Sequence, residues 1–213
     1  MLLMALRTLP LDPEASLHCL QALSQVLALE TEAPSRQRIQ AQLLEQKGAA
    51  RMLATVGHAG VSPALLGAVR NLMCLGPELQ AQVVTELIVA LPAVSGGQGD
   101  LIELVQLLDE AAVAPLPVIT EENLLVLCKL LGAAGEPIAV RTKLSYIISL
   151  FLRATPALRG AAFEVISLEA FVAAGDLSFG LAVLGALAEA VAPEDLVQGL
   201  LLPNLPALLH LVE

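Results

Sequence analysis

The residues able to do chemistry in this chain are few and scattered. Cys19, Cys74 and Cys128 lie about 55 residues apart, each inside an apolar stretch, and no two have metal-ligand spacing. His18 and Cys19 are adjacent and so diverge from a helix, His58 lies among glycines, and His210 stands near the end of an apolar run. Three separated histidines build neither a zinc site nor a catalytic triad. The pairs Asp109-Glu110, Glu121-Glu122 and Glu194-Asp195 read as solvated helix ends, since acid–base work would need a polar pocket to tune them. The loop Gly96-Gly97-Gln98-Gly99-Asp100 lacks the third glycine, the preceding strand and the Lys-Ser/Thr that phosphate cradles require. Ser62, just before Pro63, reads as a helix N-cap and not as a nucleophile at an elbow. These features predict a non-catalytic chain with no cofactor and no metal.

A different series is more informative. The segment Ala22-Leu-Ser-Gln-Val26 aligns with Ala68-Val-Arg-Asn-Leu72, Leu107-Leu-Asp-Glu-Ala111, Tyr146-Ile-Ile-Ser-Leu150 and Ala186-Leu-Ala-Glu-Ala190. The penultimate residue is polar each time: Gln25, Asn71, Glu110, Ser149 and Glu189. A polar side chain repeated at one repeat's rise can satisfy successive backbone amides of a bound strand. Any solvent-facing helix position would also be polar, and both readings stay open here.

Positioning such a series needs helices at a regular interval. Proline and glycine interrupt the chain at Pro10–Pro13, Pro34, Gly57–Pro63, Gly76-Pro77, Pro92–Gly99, Pro115–Pro117, Gly132–Pro137, Pro156, Gly175, Pro193 and Pro203–Pro206. Between them apolar residues recur at the helical period, as in Leu144, Ile147, Ile148 and Phe151, and nothing alternates as a strand would. Asp12, Ser62, Asp100 and Thr120 stand where helices would start. The composition agrees, with 47 leucines and 34 alanines against one tyrosine and no tryptophan. The aligned segments end at residues 26, 72, 111, 150 and 190, spacings of 46, 39, 39 and 40. Stacked two- or three-helix units repeat at about 40 to 47 residues. The reading is roughly ten to twelve short helices in about five units, forming one helical-repeat domain over 1–213.

Residues 43–76 carry more than a period. Gln46-Lys47-Gly48 reads as a glycine turn, Ala49–Val56 as a short helix, and a Gly/Pro loop then leads to a long helix containing Ala68-Val-Arg-Asn-Leu72. This stretch resembles an armadillo repeat; residues 121–153, and 164–191 followed by a Leu200–Val212 helix, fit more loosely, and residues 77–114 read as a two-helix HEAT-like unit. The resemblance implies an all-α, right-handed α-solenoid acting as a protein-interaction scaffold. It also implies that the position of Asn71 lines a concave groove, where an asparagine ladder holds an extended peptide. Carried over, the groove residues are Gln25, Arg70, Asn71, Glu110, Ser149 and Glu189. Glu110 and Glu189 would favour a basic or helical partner. The rival reading is a helical bundle whose leucines and alanines line a cavity for a lipid or other apolar small molecule.

Charge narrows the partners. The net charge is −10, with eleven basic residues, which argues against binding nucleic acid directly. Residues 107–213 carry five basic and twelve acidic groups, more lopsided than the six and nine of residues 1–106. The longest charge-free stretch, Met52–Val69, is broken by glycines and Pro63, so no membrane span is expected. Met1–Pro10 lacks the basic start of a signal peptide, and the thiols suit a reducing compartment, cytoplasm or nucleus. Both ends are apolar, and Leu200–Val212 is apolar on more than one face. Solenoid ends are normally capped with polar residues. The expectation is therefore a fragment or short isoform of a longer solenoid, or contact with a partner through its ends.

Overall fold

The computed structural model describes residues 13–29, 33–112, 118–133, 135–166 and 177–210, and every regular element among them is helical. The chain divides into two compact units, Met1–Pro117 and Val118–Glu213, parting at the Pro115–Pro117 cluster.

The first unit contains α1 (Pro13–Leu29), α2 (Ala33–Glu45), α3 (Gly48–Leu53), α4 (Val56–Ala59), α5 (Pro63–Met73), α6 (Pro77–Ala90) and α7 (Gln98–Ala111). Pro63 and Pro77 stand in the first turns of their helices, where the missing N–H costs nothing. Ser62 caps α5 as expected, its Oγ accepting from the Leu65 N–H at 3.2 Å. The expected turn at residues 46–48 forms with a different division of roles. Lys47 takes the left-handed conformation, with φ 52°, and Gly48 opens α3. Glycine is needed there for space, because a Cβ would lie 2.9 Å from Leu43 Cδ2 and 3.3 Å from the Leu43 carbonyl oxygen. The single helix expected over Ala49–Val56 is broken after Leu53. Thr55 Oγ1 donates to the Met52 carbonyl at 2.6 Å, a local bond that competes with helix continuation.

Asp100 departs from its expected role. Gly97 is the N-cap of α7, while Asp100 sits in the first turn and accepts from the Val61 N–H at 3.2 Å, bracing the loop before α5. Residues 77–111 form the expected helix pair, α6 and α7, joined by a 3-10 turn at Leu91–Val94. The core is layered leucine: Leu43, Leu65, Leu72, Leu79, Leu87, Leu104 and Leu108 are fully buried. Ala49 and Ala68 are fully buried too, and their small side chains let helices approach, with α5 lying along α1 and α3 along α6. Each buried leucine contributes about 2 kcal/mol before conformational entropy is counted.

The second unit contains α8 (Glu121–Gly132), α9 (Ile138–Ala154), α10 (Arg159–Val165), α11 (Leu177–Ala190), α12 (Pro193–Leu196), a π-helical turn (Val197–Leu201) and α13 (Leu205–His210). Thr120 caps α8 by accepting from the Asn123 N–H at 3.3 Å. Leu144, Ile147, Ile148, Phe151 and Leu152 form one fully buried stripe on α9, which packs against α8 and α11. Arg141 is almost fully buried on α9. Its Nε donates to the Leu131 carbonyl near the end of α8 at 2.9 Å, and its guanidinium lies 4.2 Å from the Phe179 ring centroid on α11. Gly199 in the π turn sits where a Cβ would collide with the Phe163 ring of α10. The helix expected over Leu200–Val212 is instead this turn, a bend at Pro203 and α13. Leu202, Leu205 and Leu209 are exposed there. The expectations for Met1–Pro10 and for the last three residues lie outside the described residues.

Candidate functional site

The aligned segments fall on α1, α5 and α7 in the first unit and on α9 and α11 in the second. In the first unit the same relation occurs twice. Asn71 Nδ2 on α5 donates to the Ser24 carbonyl of α1 at 3.0 Å and lies 3.2 Å from Ser24 Oγ. Glu110 on α7 accepts from Arg70 on α5, at 2.8 Å from Nε and 3.1 Å from Nη2. In each case the penultimate position of one segment meets the third position of the segment before it. Other long-range hydrogen bonds in this unit span 31 to 39 residues, the shortest interval being Gln80 Nε2 to the Ala111 carbonyl at 2.7 Å. Arg36 reaches the Cys74 carbonyl and Gln40 reaches Glu78, each 38 residues on, and Val61 meets Asp100, 39 residues on. In the second unit Arg153 donates to the Glu189 carbonyl and Arg159 pairs with Asp195, both 36 residues on.

Around Arg70 and Glu110 the surface is polar and accessible. Gln106 Nε2 lies 3.4 Å from Glu110 Oε1, one turn back on α7, while Glu103 and Ile102 are exposed on the same helix. The bond from Glu110 holds the Arg70 guanidinium above its ordinary range, and the charges of Glu110 and Glu103 add to it, against a smaller cost of burial. The ion pair is 43% and 35% exposed, so it orients side chains more than it stabilises the fold. Gln25 is exposed on α1. The structure therefore brings Gln25, Arg70, Asn71 and Glu110 onto three helices of one unit. Asn71 is occupied there, its Nδ2 lying within hydrogen-bond distance of both Ser24 oxygens.

The second unit treats its two expected residues differently. Ser149 is 3% exposed and its Oγ donates to the Tyr146 carbonyl on its own helix at 2.7 Å, so its side chain faces packing and not solvent. Glu189 is exposed on α11. Sequence reading passed over Ser24, Gln106 and Glu103. A repeat offset shifted by one position, matching the third residue of one segment to the fourth of the next, would have found Ser24.

Among the described residues no three His, Cys, Asp or Glu side chains are grouped to hold a metal ion, and no helix is long and apolar enough to cross a membrane. Open hollows of about 500 and 630 Å³ lie beside Lys47 and Arg51 in the first unit and beside Arg159 and Gln198 in the second. No protein-family model matches the chain, no curated protein matches its sequence and no solved structure matches its fold.

Proposed function

We propose that the chain is a non-catalytic protein-interaction scaffold, a right-handed α-solenoid of armadillo and HEAT character, whose contact surface is the α1–α5–α7 row. The observation that carries this reading is that the same two segment positions meet twice, Asn71 donating to the Ser24 carbonyl 47 residues back and Glu110 accepting from Arg70 40 residues back. Equivalent helices joined by equivalent contacts are what stacked repeats require, since each unit covers the face its neighbour cannot bury alone. The exposed part of the row is Gln25, Glu103 and Glu110, with Gln106 half-buried beside them. Arg70 is matched by Glu110, leaving Glu103 as surplus negative charge, so the partner is an extended segment bearing Lys or Arg, its backbone held by Gln25 and Gln106. Cys19, Cys74 and Cys128 form no disulfide with one another, which suits a reducing intracellular compartment.

The test is selection of a displayed peptide library on the purified chain. Basic extended sequences should be enriched, and Glu103→Lys with Glu110→Lys should weaken the best peptide at least about tenfold while leaving helical content unchanged. Failure to enrich any sequence, or equal binding by the double variant, refutes the proposal.

A further inference from the structure

We propose that the stretch of the partner lying over α7 is a polyproline II segment with Lys or Arg at positions i and i+3. The inference rests on the reading of the α1–α5–α7 row as the contact surface, and it names the conformation and register of what that surface holds. Glu103 and Glu110 are exposed on one face of α7, seven residues apart. That separation is about 10.5 Å along the helix axis. Arg70 reaches this edge from α5. Its bond to Glu110 raises the guanidinium above its ordinary range, and the Glu103 charge adds to the rise. The edge of α7 therefore carries two carboxylates with one guanidinium beside them. Its complement is a cation at each end and hydrogen-bond acceptors in between.

Backbone geometry selects the conformation. A polyproline II chain has three residues per turn, so side chains at i and i+3 return to one side about 9.3 Å apart, close to the carboxylate spacing. A β-strand alternates its side chains, and its i and i+3 positions point to opposite faces. A helix brings i and i+3 too close together and spends its carbonyls on itself. Polyproline II carbonyls have no internal partner. Arg70 can meet them, because a guanidinium has five N–H donors, two are spent on Glu110, and the side chain is 43% exposed. Direction follows from α5. Asn71 is already bonded to Ser24, so a chain crossing from α1 to α7 would find no ladder there, whereas the acids and Gln106 line up along α7.

The probes are three fluorescein-labelled peptides of equal length and charge, all proline except for two lysines spaced i and i+2, i and i+3, or i and i+4. Binding to the purified chain is read by anisotropy at low ionic strength, where exposed charges are least screened. The i and i+3 peptide should bind at least about fivefold tighter than the other two, and replacing its prolines with glycines should weaken it at least about threefold. Glu103→Gln should reduce the spacing preference below about twofold while helical content stays unchanged. Equal binding by the three spacings, tighter binding at another spacing, or a preference that survives Glu103→Gln overturns the inference. Where the three bind equally and Glu103→Lys with Glu110→Lys abolishes that binding, the contact surface stands and only the register of its occupant falls. Where none of the three binds, both fall.

Discussion

Asn71 stands at the position expected to line a groove, yet its side chain is bonded to a neighbouring helix, and its replacement measures what that bond is worth. Its Nδ2 bonds the Ser24 carbonyl at 3.0 Å and Ser24 Oγ at 3.2 Å, across a half-buried contact between α5 and α1. A neutral hydrogen bond contributes about 1 kcal/mol net, and an acceptor left partly buried adds to the loss. Water reaches part of the contact, so Asn71→Ala should cost about 1.5 kcal/mol. Ser24→Ala removes the hydroxyl and keeps the carbonyl, and should cost about 0.5 kcal/mol. The double variant should show a coupling of about 0.5 kcal/mol, because Asn71 keeps its backbone acceptor in the Ser24 variant. Gly67 adds a change of sign. A Cβ there would lie 3.2 Å from Ser24 Oγ, so Gly67→Ala should be near neutral in the native chain and stabilising by about 0.5 kcal/mol once Ser24 is alanine. The assay is urea unfolding followed by helical circular dichroism. A loss below about 0.3 kcal/mol for Asn71→Ala, within the range of inert surface changes, would show that the bridge does not join the helices.

The remaining expectations concern other sites. Because the Arg70–Glu110 pair is 43% and 35% exposed, Glu110→Ala should change stability by less than about 0.5 kcal/mol, checked by the same urea midpoint. Arg141→Ala should cost about 3 to 4 kcal/mol in unfolding free energy, since it removes the bond to Leu131 and the contact over Phe179 from a buried position, and Arg141→Lys should recover only part. Burial pushes the Cys128 thiol from its ordinary 9.0 up to about 12. The unfolded thiol ionises first, so the native state keeps this contribution in full below pH 9 and loses it as pH rises toward 12. Cys128→Ala should flatten that alkaline decline, and iodoacetamide at neutral pH should label the exposed Cys74 well before Cys128.

What was legible in the sequence was local. The helical stripe of α9 and the caps at Ser62 and Thr120 depend on residues within one or two turns, and each formed as its spacing requires. Asp100 also looked like a cap, but its carboxylate is drawn to Val61, 39 residues away, and no window along the chain contains both. Arg141 gave no signal at all. Its burial comes from α8 and α11 closing on either side of α9, which is a property of packing and not of the residues around it.

The polar series shows why one pattern can hold two physical causes. Ser149 occupies the same place in its segment as Asn71 and Glu110, yet it is covered, and its hydroxyl returns to its own helix, as short hydroxyl side chains can when no water is near. Asn71 is long enough to leave its helix and meets a carbonyl on the next. Glu110 is longer and charged, and it meets a guanidinium at the surface. Polarity at the position is constant, while its function follows side-chain length and the exposure set by neighbouring helices. A ligand ladder requires the same group to point the same way at each repeat, and these three do not. In the first unit the polar ends that stay in solvent are those of Gln25, Glu103 and Glu110, and these are the groups the proposed contact surface would use, while Asn71 is bonded across to α1.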